Sequence, residues 1–201
     1  MNSLNLRWAD VEDARGIAEV HVASWRSAYC GLIDQQILDG LSVSTRADGW
    51  RLILSEIAVP RPREMTPHRI LVADVDERIV GWASFGAGRD KGMTDQGEIA
   101  GLDVHPEFWS QKIGHALMVS PEQHLSDADF QSAYLWVLFG NTRAISFYDR
   151  HGWVADGEEK VGNAGGAKGL HEQRHVRALH STKPIRDAEK SQRSLDPQAE
   201  R

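Results

Sequence analysis

Cysteine is nearly absent from this 201-residue chain, Cys30 being the only one. No internal disulfide can form, and no cysteine-based zinc site can be assembled. Such usage fits a reducing compartment. Long apolar runs are missing too: no stretch of about 18 apolar residues offers a membrane helix. The opening Met1-Asn2-Ser3-Leu4 lacks the pattern of a secretory leader. These features predict a cytosolic, cytoplasmic protein without a membrane partner. Basic excess is also absent, with 23 basic residues against 29 acidic ones and a formal net charge of −6. Duplex-binding domains carry the opposite balance, so no nucleic-acid partner is expected. The sequence has no Gly-Lys-Ser/Thr element, which argues against a nucleotide enzyme of the P-loop kind.

What is present suffices for one globular domain. Apolar residues make up 41% and charged residues 26%, close to ordinary usage and enough for a core without metals or disulfides. Seven tryptophans supply large rings whose first expected duty is packing.

Residues 4–8 alternate apolar and polar, predicting a short strand. Asp10 stands where an N-cap belongs, with Asp13 three residues on. Val11, Ala14, Ile17, Ala18, Val20, Val22 and Trp25 then support an amphipathic helix reaching about Tyr29. Two short helices are expected at 35–41 and 45–57, and Pro60, Pro62 and Pro67 mark a loop. Strands follow at 69–75 and 79–85 around a tight turn, and another at 98–104. A helix beginning at Ile113 meets Pro121, which lacks an N–H and clashes one turn back. Ser120-Pro121-Glu122-Gln123 reads as a fresh helix start, so a kink or restart is expected there. Residues 133–139 form a buried strand, and 141–151 a helix stopped by Gly152. Strands at 153–155 and 173–179 close the domain around a glycine-rich, mobile loop at 161–169. The domain is assigned to residues 1–180. Dense mixed charge then predicts a disordered tail over 181–201. This order implies a mixed α/β sheet with helices on both faces.

Chemistry enters where the strand ending Val104-His105-Pro106 leads through Glu107-Phe108-Trp109-Ser110-Gln111-Lys112 into the helix opening Ile113-Gly114-His115. A helix start carries unpaired N–H groups and about half a positive charge, and a turn converging several amides can hold a pyrophosphate. Taken alone, the segment is equally an ordinary strand-to-helix connection.

The arrangement resembles the acetyl-CoA motif of the GNAT superfamily: a strand, Val-x-Pro, then Arg/Gln-x-x-Gly-x-Gly/Ala opening a helix. Gly114 matches the last glycine and Ile113 the residue before it. Trp109, however, stands at the usual Arg or Gln position, Ser110 at a common glycine and Lys112 at the middle glycine. Lys112 restricts the turn if a positive φ is required, while its ammonium can compensate beside a pyrophosphate. A second segment is similar to the later strand-helix-strand unit of the family: residues 135–153, with Asn141, Ala144, Phe147 and Tyr148 at the pattern Asn-x-x-Ala-x-x-Phe-Tyr. The opening helix, with Val20-His21-Val22 and Ser24-Trp25-Arg26, also resembles family members, and the likeness spans about residues 4–179.

The resemblance implies a mostly antiparallel sheet splayed at a cofactor cleft. The strand of Leu102, Asp103 and Val104 would pair with the pantetheine arm. The turn Trp109, Ser110, Gln111, Lys112, Ile113, Gly114 and His115 would hold the pyrophosphate, with Asn141, Ala144 and Phe147 nearby. Acetyl-CoA would be the co-substrate, with no metal, and its acetyl group would pass to a primary amine of a small molecule or peptide by direct attack on the thioester. Glu98 is the candidate general base through water, the Val104 N–H the oxyanion donor and Tyr148 the general acid. Trp25 and Tyr29 would wall the acceptor pocket. Plainer readings stand beside these: Glu98 as a solvated strand opener, Tyr148 as an amphipathic ring, and Trp25 as core. Asp103 lies near the acetyl site but faces opposite to Glu98 on an ideal strand. His21, His105 and His115 are further candidate bases, although isolated histidines at turns and on a helix are more often bystanders to the chemistry. His171-Glu172-Gln173-Arg174-His175 falls on a strand, where its imidazoles do not share a helix face, so it is rejected as a zinc motif. The alternative is a GNAT-fold CoA-binding or interaction module with little turnover, motivated by Lys112 and Pro121. A homodimer is compatible with either reading.

Overall fold

The computed structural model of the chain describes residues 3–59, 68–164 and 167–179. The proline loop at 60–67 and the tail at 181–201 lie outside the described residues. Strand β1 (Leu4–Trp8) leads to a 3-10 turn and α1 (Ala14–Ala28). The turn starts on the expected signal. Asp10 accepts from the Glu12 N–H, and Asp13 accepts from the Asp10 N–H at 2.9 Å, a reciprocal capping box. Asp13 also takes both Arg7 guanidinium nitrogens, at 2.7 and 2.8 Å, tying the helix start to β1. Helices α2 (Gln35–Asp39) and α3 (Val43–Ala58) follow, opened by Asp34 and Ser42 caps.

Strands β2 (Arg69–Val75) and β3 (Arg78–Ala87) are joined by Asp76 and Glu77, both at positive φ as a two-residue hairpin requires. Next come β4 (Gly97–Val104), α4 (Ile113–Asp127), β5 (Ser132–Leu138), α5 (Thr142–Arg150), β6 (Val154–Ala164) and β7 (Ala167–Ala178). The sheet order is β1-β2-β3-β4-β5-β7-β6. Every neighbouring pair is antiparallel except β4 and β5.

Two cores follow from strand alternation. On one face, Ile70, Val72 and Trp82 meet Ile17, Ala18, Trp50 and Leu54 of α1 and α3. On the other, Leu71, Ala73, Ile99 and Val104 meet Ile113, Leu117, Met118 and Leu125 of α4, with α5 packed alongside. Among the described residues no helix is long and apolar enough to cross a membrane.

Two expectations need correction. Of the kink or restart expected at Pro121, the restart does not occur: helix α4 runs through the proline as one element. The proline is fully buried, and both flanks are anchored. Leu117, Met118 and Leu125 lie in the core, and Glu122 accepts from the Trp153 indole and from Arg177, each at 2.8 Å. Those contacts offset a missing hydrogen bond that otherwise costs about 3 kcal/mol. The glycine-rich stretch expected as a loop over 161–169 is strand in its described residues, 161–164 and 167–169. They lie in the β6–β7 ladder, Val161 opposite His171 and Gly162 opposite Leu170. Gly169, at φ 69°, is the extra residue where the register shifts, so a glycine read as punctuation serves as a bulge.

Replacing Asp13 with Ala removes the capping box and leaves Arg7 short of its principal partner. Urea denaturation should show a loss of about 2 kcal/mol. Burial pushes the Asp13 carboxyl up, but Arg7 and the Asp10 N–H hold it below its ordinary range. The difference between the two proteins should therefore shrink as pH falls through that depressed value.

Candidate active site

Strands β4 and β5 pair only at Gly97–Ala133, Glu98–Tyr134 and Ile99–Leu135. Beyond Ile99 they part, while β5 stays paired with β7 as far as Leu138. The divergence begins at a bulge: Phe85 faces Ile99 and Ser84 faces Gly101, leaving Ala100 as the extra residue. An added residue bends and twists a strand locally.

It also resets the alternation. A Cβ on Gly97 would point at Leu125 of α4, but one on Gly101 would point at the Trp82 ring on the α1 side. Asp103 therefore emerges on the α1 face, the same side as Glu98, and its carboxylate accepts from Ser24 of α1 at 2.5 Å. The opposite-face expectation for Asp103 fails because one residue is inserted between the two acids.

The free edge of β4 follows from the ladder. His105 donates to Val80 at 2.8 Å, and Gly81 lies opposite Val104. Antiparallel alternation then turns the N–H and C=O of Leu102 and Val104 away from β3, into the gap. The Trp109 indole donates to the Val104 carbonyl at 2.8 Å, which leaves the Val104 N–H facing the gap.

A cavity of about 550 Å³ fills this gap, a size common for small-ligand sites. It is lined from both faces of the sheet: Ser24 and Ala28 of α1 and the following Tyr29 on one side, Lys112, Gly114 and His115 on the other. Leu102, Asp103, Val104, Trp109, Ser110, Asn141, Ala144, Phe147 and Tyr148 line it too, so the cofactor residues expected from sequence largely converge. Asn141 caps α5 by accepting the Ala144 N–H at 3.1 Å, which leaves its amide NH2 as the group able to serve a ligand. Ser110 and Lys112 both adopt left-handed backbone, at φ 64° and 63°. The turn takes its glycine-like shape without glycine, at about 1–2 kcal/mol per residue.

Four expected residues are placed differently. Glu98 is 4% exposed and outside the cavity lining. Arg89 holds both its oxygens, at 2.7 and 2.9 Å, and donates its backbone N–H as well. Burial pushes Glu98 up, but Arg89, with His68 beside it, holds the carboxyl below its usual range. So paired, it is a structural anchor for the loop after β3 and no longer suited to take a proton. Trp25 is core: it stacks on His21 and meets Tyr29 edge-on, and Tyr29 alone of the two reaches the cavity. Ile113 is buried, and Gln111 turns away to the Glu107 carbonyl, so these two can offer only backbone to a ligand.

The electrostatics differ between the two ends. Burial pushes the Asp103 carboxyl up to about 7, with the Ser24 hydroxyl pulling the other way. Burial and then the Asp103 charge push the Tyr148 phenol up. Burial does the same to Tyr29, and Asp103, Tyr148 and Glu172 add to it. At the other end Lys112, His115, Arg143, Arg150 and His151 line the wall. Sequence reading missed Arg143 and Arg150, although their spacing of seven puts them on one face of α5. It also missed Trp136, whose indole donates to Asp90 at 2.7 Å. Among the described residues no group of three or more side chains could hold a metal ion.

The model of the acetyltransferase (GNAT) family matches residues 43–153. The chain belongs to this family. The uncharacterized N-acetyltransferase YuaI of Bacillus subtilis is 29% identical to it over 150 residues, 74% of this chain and 79% of YuaI. The spermidine N(1)-acetyltransferase of Thermoplasma acidophilum is 23% identical over 154 residues, 77% of this chain and 90% of its own. Among solved structures, the PaiA N-acetyltransferase of the same organism, in complex with coenzyme A, superposes with a TM-score of 0.67. It is 20% identical and covers 88% of this chain and 99% of its own. These likenesses establish the GNAT fold for this acetyltransferase.

Replacing Lys112 with Gly removes the left-handed strain and the charge together. Urea denaturation should show a gain of up to about 1 kcal/mol, while calorimetry should show coenzyme A binding about tenfold weaker. Unchanged affinity would remove the Lys112 ammonium from the site.

Proposed function

We propose that this acetyltransferase moves the acetyl group of acetyl-CoA to a primary amine of a small, cationic molecule, with Asp103 as the proton acceptor. The observation carrying this reading is that Asp103, Tyr148 and the free Val104 N–H edge border one cavity at the point where the strands part.

An aliphatic ammonium has a pKa near ~10.4 and must lose a proton before its nitrogen can attack. A half-buried carboxylate in the cavity attracts the cation and takes that proton. As the new C–N bond forms, the Val104 N–H donates to the thioester oxygen, where negative charge grows. Collapse breaks the C–S bond. Tyr148 donates to the departing sulfur, and the second proton of the nitrogen restores the phenol. Protons balance: two leave the ammonium, one to Asp103 and then water, one to the thiol. The steps are coupled, because a protonated Asp103 no longer raises the Tyr148 phenol by its charge.

The rival reading, a coenzyme-binding module with little turnover, rests on Lys112 and Pro121. The turn nevertheless takes its left-handed shape and α4 is continuous, which favours the catalytic reading. A relative named for spermidine makes polyamines the first acceptors to try.

With such an amine panel, kcat/KM should fall as pH drops through the Asp103 value of about 7, because the carboxylate form is required. Asp103→Asn should lower kcat about 10²–10⁴-fold and abolish that limb. It should also raise the melting temperature at pH 8, since it removes a half-buried charge, with the gain fading towards pH 4. Tyr148→Phe should lower kcat with little change in the KM for acetyl-CoA. A Tyr148→Phe enzyme of full kcat, with chemistry limiting the rate, would exclude the phenol.

A further inference from the structure

Trp109 occupies the position where the cofactor turn is expected to carry Arg or Gln, and its side chain is spoken for. The indole N–H is fixed to the Val104 carbonyl, so the ring is held as a wall of the cavity. Across that ring lies the Arg143 guanidinium, 3.6 Å from the ring centroid. Arg143 comes from the first turn of α5 and lines the same cavity. Among the described residues no carboxylate pairs with it: the ion pairs of the neighbouring elements join Arg78 to Glu107 and Arg177 to Glu122.

Arg143 is exposed to solvent, with its pKa pushed down by partial burial and then by the neighbouring Arg150. An anion arriving at the guanidinium would offset the repulsion from Arg150. Stacking on a fixed indole holds the planar donor fork in one orientation while leaving its edge free for oxygen acceptors. In a chain of net charge −6, the gathering of Lys112, Arg143 and Arg150 on one wall of the cavity gives a local field that favours an anionic ligand.

We propose that Arg143, shelved on Trp109, is the side chain that binds a phosphate of the acyl donor, adding from α5 a second cation beside Lys112, at the place where Trp109 stands for the expected Arg or Gln. The proposal rests on the coenzyme A reading of the cavity and adds to it a named phosphate ligand outside the expected turn. Coenzyme A offers two sources of that chemistry, its diphosphate and its 3′-phosphate.

The test titrates coenzyme A, dephospho-CoA and phosphate-free pantetheine into the full-length chain, by calorimetry or tryptophan quenching. Arg143→Gln should weaken coenzyme A about 10- to 100-fold and leave pantetheine unchanged. Arg143→Lys, which keeps the charge but not the planar fork, should fall between. Trp109→Leu should reproduce the Arg143→Gln loss, and the double variant should lose little more. Equal losses for coenzyme A and dephospho-CoA would assign the diphosphate; a loss confined to coenzyme A would assign the 3′-phosphate. Wild-type affinity in Arg143→Gln, or an equal loss for pantetheine, would overturn the proposal. A wild-type chain that binds neither nucleotide would instead overturn the acetyl-transfer reading beneath it.

Discussion

The parting of β4 from β5 after Ile99 is the constraint on which the rest of the structure depends. Three residue pairs hold the strands together, and one surplus residue, Ala100, separates them. The consequence is unusual for the middle of a sheet. Backbone groups of Leu102 and Val104, which a continuous ladder would satisfy, are left facing a cavity. Unpaired backbone polar groups are tolerated only where water or a ligand can reach them, so the gap has to stay open to one or the other. Gly101 supports the same geometry by leaving space for the Trp82 ring, which fills the α1 side of the bulge.

Around that gap the charges are divided. One end carries Asp103 with Ser24 and the two half-buried phenols, the other the left-handed turn with Lys112 and the α5 arginines. A phosphate-bearing donor and a cationic acceptor would each meet complementary charge only by entering from opposite faces of the sheet. The net acidity of the chain says nothing of this division. In the proposed reaction it is these opposed local fields, more than total charge, that would select the two ligands and orient them towards the same point.

Much of the fold was legible in the sequence. The Asp10–Asp13 box, the hairpin at Asp76–Glu77 and the Asn141 cap are local, and local chemistry needs no tertiary knowledge. The convergence of Gly114, Asn141, Phe147 and Tyr148 was legible for a related reason: each sits at a fixed offset from a strand end or helix start. Asp103 was misjudged because alternation was counted across a bulge that no residue type announces. Glu98 looked free because its partner Arg89 comes from a loop whose path the sequence does not specify. Trp25 was buried as its periodicity required, but periodicity identifies a face and not what covers it. Pro121 was overread, since its anchors at Trp153 and Arg177 lie far along the chain.

The central claim is that the freed edge of β4 receives the amide-bearing arm of the acyl donor. Amide hydrogen exchange read residue by residue, with and without saturating coenzyme A, tests it most directly. The account predicts that exchange of the Val104 and Leu102 amides slows by roughly tenfold, as expected for one new backbone hydrogen bond. Asp103, already turned towards β3, should change far less. Bound coenzyme A with unaltered exchange along this edge would contradict the account.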